Sequence, residues 1–208
     1  MHGPIDHVSE AEFDFLDEKA IMRSAMITKG TAGPSGMDAD VWRKILCSNN
    51  FKMAGKDLRE EIAILGKNIS TKSFDSELLE CYSACKLLAL DKNPGIRPIG
   101  VGEVIKRIIG KALVVGLKRD LKDYSSPLQV SSGYEAGSEA AIHSMKAIFE
   151  DDQTQGIILV DASNAFNNMN RKVALQNIRI ICPVIATYLA NSYASEARMF
   201  IHGKFEIS

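Results

Sequence analysis

The chain has 208 residues, 46% of them hydrophobic and 25% charged, with a formal net charge of −1. Those values suit an ordinary folded protein of one large domain, or a core with an appended subdomain, and exclude a low-complexity polar chain. No apolar run reaches the ~20 residues that a membrane-spanning helix needs, because Lys111 interrupts the longest, "VIKRIIGKALVVGL".

Taken in chain order, residues 1–20 hold six acids against Lys19, and residues 8–27 read as an acidic helix. "TKGTAGPSGMD" ends it in a loop rich in glycine and proline, a hinge or a boundary. Asp38 is placed to cap a helix through Val41, Trp42, Ile45 and Leu46. "DLREEIAILGKNI" and "SELLECYSACKLLAL" carry apolar residues at three-to-four spacing and predict two core-facing helices. "NPGIRPIGVG" turns into a short strand, and Glu103 to about Leu121 predicts a long helix weakened by Gly110 and Gly116. After the loop "SSPLQVSSGYEAGS" comes a helix over "EAAIHSMKAIFE". Then follow a buried strand "GIILVD", helices near 171–177 and 183–194, and a hairpin, "ARMFIHGKFEIS", with His202-Gly203 at its turn. Strands few and far apart among helices predict an α+β fold, since no regular βαβ alternation appears. A chain stopping on a hairpin strand, at Ser208, is expected to be a fragment.

Cys47, Cys81, Cys85 and Cys182 form no CxxC pair and have no nearby histidine. Reduced thiols in a reducing compartment are expected rather than zinc, and the protein is expected inside the cell, in nucleus or cytoplasm. "GVGEVI" lacks the third glycine of a dinucleotide loop, and "GKNIST" lacks the glycine-rich arc of a P-loop. The four histidines have no partners for a nucleophilic triad.

Two stretches carry chemistry. In "ILVDASNAFNNM", residues 158–169, an aspartate closes a β-type apolar run. Asp161 either caps the turn that follows or offers a hard-cation ligand at a strand edge. Residues 92–122 hold eight Lys or Arg against Glu103 and Asp120. On a helical wheel Arg107, Lys111, Lys118 and Lys122 fall within about 60° of one another, opposite Ile105, Ile108, Ile109, Ala112 and Leu113. Such a stripe is either a solvated face or a seat for a polyanion backbone. Arg97, held extended by Pro98, suits a phosphate fork.

"GPSGMDADVWRKIL", "GIRPIGVGEVIKRIIGKAL", "GYEAGSEAAIHSM" and "ILVDASNAFNNMNRKVAL", in that order, resemble the first half of a reverse transcriptase of the non-LTR retrotransposon type. The resemblance runs from about residue 33 to 208. It implies a partial right-hand polymerase fold: an unassigned N-terminal helical extension over 1–32, a helical fingers-like region over 33–150, and the start of an antiparallel palm sheet over 151–208. It further implies that Asp161 is the first catalytic aspartate and a Mg²⁺ ligand, and that Phe166 is the aromatic gate against ribose. Ala162 would approach the triphosphate by its backbone, and Arg97 would contact the same group. Arg107, Lys111, Lys118 and Lys122 would follow a nucleic-acid backbone. The implied partners are an RNA template, a DNA primer and dNTPs, and no membrane. The second aspartate pair of the family is absent from these 208 residues, so the chain alone is expected not to polymerise. Two other readings are a non-catalytic nucleic-acid-binding remnant and a viral-type RNA-dependent RNA polymerase, the latter disfavoured by Phe166.

Overall fold

A computed structural model describes residues 8–125, 129, 134–163, 165–193, 196–201 and 204–206, with the backbone alone at 166, 167 and 204–206. After a 3-10 turn at Glu10–Phe13, helix α1 spans Glu18–Ile27, started by the Asp17 carboxylate accepting from Ala20 N–H at 2.7 Å. Asp38 caps α2 (Ala39–Cys47) as its position predicts, accepting from the N–H groups of Asp40 and Val41 at 3.0 and 2.9 Å. Helix α3 runs Lys52–Thr71, and its glycine at 66 lets Leu16 and Ile109 sit against its backbone.

The next stretch departs from expectation. Only Glu80–Ser83 is helical (α4), and Cys85–Asp91 is a strand, β1, paired antiparallel with β2, Ile96–Gly102, from Cys85↔Gly102 to Asp91↔Ile96. Apolar spacing alone did not separate helix from strand over Leu87–Leu90. The turn at Pro94-Gly95, with Gly95 at φ +99°, folds the chain back, and cross-strand pairing then decides the outcome.

Helix α5 covers Val104–Gly116 and α6 Lys118–Tyr124, so the single long helix expected there is broken at Leu117. Gly116 lies against the Phe15 ring, closer than any Cβ would allow, and Leu117 turns inward to 2% exposure. Beyond it come α7 (Gly137–Phe149), α8 (Ala165–Asn168), α9 (Arg171–Ile181) and α10 (Pro183–Tyr193). Strands β3 (Met199–Ile201) and β4 (Lys204–Glu206) form the expected hairpin, whose turn, His202-Gly203, lies outside the described residues. The loop over 125–138 is described only in part.

The fold is α+β. Its sheet is mixed, in the order β2-β1-β3-β4, with β1 and β3 parallel through Cys85↔Met199 and Lys86↔Phe200. The core gathers Phe13, Leu16 and Ile21 from the N-terminal stretch with Leu46, Ile69, Ile108 and Leu113, all shielded from solvent. Helix α10 joins it: Tyr188 and Tyr82 share a hydrogen bond between hydroxyls at 3.2 Å. Asn191 ties the same helix to the end of α3, donating to the carbonyls of Ile69 and Lys72 and accepting from Phe74 N–H.

Residues 137–181 are packed differently. Gly137 alone is buried in α7, no residue is buried in α9, and Ile142 and Ile180 are 67% and 82% exposed. The stretch expected to be a buried strand is irregular, with Ile158, Leu159 and Val160 about 90% exposed. Its β-prone residues have no neighbouring strand to pair with among the described residues, and such a preference is realised only by pairing. No helix among those described is long and apolar enough to cross a membrane.

Candidate functional site

One open cleft of about 1020 Å³ brings together residues far apart in sequence. Lys92 to Gly100, excepting Asn93, line one side of it, and Asp161, Ala162, Ser163 and Ala165 the other. The hairpin β1–β2 supplies the first wall. Pro98 removes one N–H from β2 and keeps Arg97 extended, with its side chain exposed at the sheet's outer strand. The second wall is the turn into α8, steadied by Asn168 Nδ2 donating to the Ser163 carbonyl at 3.1 Å.

Arg97, Asp161 and Ala162 therefore share one space. Arg97 and Asp161 are both exposed and, among the described residues, neither side chain has a hydrogen bond or ion pair. An exposed guanidinium facing a cleft can fork a phosphate, and a carboxylate opposite it can share a hard cation with that phosphate. Asp161 is the one acid among the described lining residues. It fits a Mg²⁺ brought in with a polyphosphate, as one ligand. Among the described residues no three His, Cys, Asp or Glu side chains gather where an ion would sit. The Phe166 side chain lies outside the described residues. That Lys92 lines the cleft together with Arg97 was not anticipated; the sequence signal was the turn Asn93-Pro94-Gly95, which places a lysine at the hairpin tip.

The cationic stripe divides in two. Arg107 Nη1 donates to the Lys29 carbonyl at 2.9 Å and Nη2 to that of Thr31, while Lys111 Nζ donates to Ile27 at 3.1 Å. These acceptors are the C-terminal end of α1 and the loop after it, where the helix dipole favours cations. Lys118 and Lys122 belong to α6 and are exposed, Lys122 Nζ lying 4.4 Å from the centre of the Tyr134 ring.

Lys106, off the cationic stripe, lies between the rings of Tyr82 and Tyr193, 5.6 and 5.2 Å from their centres. Burial lowers its pKa, partly offset by Cys85 nearby. The same burial raises the thiols of Cys47, Cys85 and Cys182, and all four cysteines are free. Only Cys182 is fully buried; Cys81 is exposed.

No protein-family model and no curated protein matches the chain.

Proposed function

We propose that this chain carries the fingers and first palm segment of a reverse transcriptase of the non-LTR retrotransposon type. The observation that supports it is the meeting of Arg97 with Asp161 and Ala162 across one cleft. The cleft is at the upper end of the size range of small-molecule sites and admits a nucleoside triphosphate. In this reading Arg97 grips the phosphates, the Asp161 carboxylate holds the cation that accompanies them, and the turn from Ala162 offers backbone N–H groups. Mg²⁺, when bound, supplies charge neutralisation on the phosphates. Asp161 without a second carboxylate pair orients a nucleotide but does not complete a two-metal site, so the chain alone binds and does not extend a primer.

Photo-crosslinking with azido-dATP and Mg²⁺, followed by peptide mapping, tests this reading. Label is expected on the peptides containing Arg97 and Asp161–Ala165, and is lost in Arg97→Ala and in Asp161→Asn. Label elsewhere, or label indifferent to both substitutions, refutes it. Primer extension by the chain alone would refute the inactivity. A second reading, a nucleic-acid-binding remnant, is favoured by Asp161 being the one carboxylate among the described lining residues of the cleft. It expects salt-dependent RNA binding with no nucleotide crosslink.

A further inference from the structure

The loop over residues 28–36 lies across the cations of α5 and is fastened there in an unusual way. Every hydrogen bond it receives from a cation ends on a neutral carbonyl. Arg107 donates to Lys29 and Thr31, Lys111 to Ile27 just ahead of the loop, and Arg43 Nη2 to Thr28 at 2.7 Å. Arg107 and Arg43 each keep a buried Nε–H without an acceptor. The guanidinium groups are thus half-buried and incompletely satisfied, and no acid on the loop pairs with either, Arg43 being paired instead with Asp40 of α2 at 2.7 Å.

What closes the loop is a separate latch. Ser35 donates twice to the Glu103 carboxylate, N–H to Oε1 and Oγ to Oε2, both at 2.7 Å. Glu103 is only 8% exposed, and Gly33 approaches so closely that a Cβ there would meet Glu103 N at 2.9 Å. Ser35 itself is exposed. The latch therefore pulls on the rim of the loop, one helical turn from Arg107, while its charge stays spent on Ser35.

We infer that residues 28–36 form a displaceable strap that masks Arg107 and Lys111 from phosphodiester backbones, held shut by the Ser35–Glu103 latch. An anionic phosphate oxygen is a stronger acceptor for these cations than a neutral carbonyl, so nucleic acid and strap compete for the same donors. This rests on the nucleic-acid reading above and adds a control to it: the stripe contributes only when the strap is open.

The test compares wild type, Ser35→Ala and Glu103→Ala for binding of oligo(U) RNA over a range of salt, and for tryptic cleavage after Lys29. The scissile carbonyl at Lys29 is itself the acceptor held by Arg107, so cleavage reads strap opening directly. Ser35→Ala leaves the charge unchanged and removes one of the two latch bonds. It is expected to bind about fivefold tighter and to be cut faster at Lys29. Its plot of log affinity against log salt should steepen by about 1.4, for two newly neutralised phosphates. Arg107→Met with Lys111→Met in the Ser35→Ala background should restore the wild-type slope. An unchanged slope in both latch variants, with wild type binding RNA, overturns the mask and leaves the nucleic-acid reading standing. Faster cleavage without RNA binding by any variant overturns both.

Discussion

Asn191 is the most economical place to test how α10 is attached. Its side chain closes the C-terminal end of α3, donating to Ile69 and Lys72 carbonyls at 2.7 Å each and accepting from Phe74 N–H at 3.1 Å. Asn191→Ala removes all three bonds and leaves carbonyls of the last turn without partners. At about 1 kcal/mol per bond, reduced by the partial exposure of the site, the loss is about 2 kcal/mol. For a domain of this size that lowers Tm by about 4–8 °C. Asn191→Asp keeps the size and the acceptor but replaces the donors with a charge facing carbonyls at the negative end of a helix. It should be worse than alanine by about 1 kcal/mol at pH 7. Those carbonyls raise the folded-state pKa of the new carboxyl above its unfolded value. The folded chain then holds the proton more tightly, and the aspartate variant regains stability as pH falls toward 4. Urea unfolding followed by circular dichroism at pH 7 and pH 4 measures both effects. An aspartate variant as stable as the alanine variant at pH 7, or one that gains nothing at pH 4, would refute the reasoning.

Two other outcomes are expected. In Gly66→Ala the new methyl would stand 2.8 Å from Leu16 Cδ2 and 3.2 Å from Ile109 Cγ2, both side chains fully buried. A gain of about 1 kcal/mol in helix propensity is outweighed by overpacking of about 1–3 kcal/mol. The variant should unfold at lower urea, and the same substitution should cost less in a Leu16→Ala background, where the Cδ2 that the new methyl would meet is gone. Stability should also fall as pH rises from about 8.5. Burial raises the thiols of Cys47, Cys85 and Cys182 and the phenols of Tyr82 and Tyr188, so these groups ionise first in the unfolded chain. The unfolded state then holds fewer protons than the folded one, and stability declines. Lys106, lowered by burial, acts in the opposite direction as a single group. Urea midpoints at pH 8 and pH 10 check the sign, and Lys106→Met should deepen the decline.

What could be read from the sequence was what short-range chemistry decides. The Asp38 cap, the amphipathic course of α3 and α5 and the strand after Pro94-Gly95 follow from neighbours within a few residues. Cys85–Leu90 fits a helix as well as a strand because Leu87, Leu88 and Leu90 satisfy either period, and its partners become apparent only when β2 folds back. The run Ile157–Val160 has strand chemistry, yet a strand needs a second backbone, which residue types do not supply. The wheel placed Arg107 and Lys111 on one polar face of α5 correctly. It carried no information that the end of α1 and its loop, 76 to 84 residues away, would lie on that face. For the cleft, the order of the motifs pointed to Arg97 and Asp161, while their approach to one another is a property of the folded chain.

The mixed sheet has a consequence for the order in which the chain is made. Strand β1 finds β2 at once, but its other edge waits for Met199 and Phe200. With roughly a hundred residues still to be translated at about 5–20 per second, that edge stands open for on the order of ten seconds. During that interval the hairpin emerges from the ribosome as an adhesive surface. A holdase that engages β1 early and lets go once β3 arrives would raise the yield of native protein more than one acting on the finished chain.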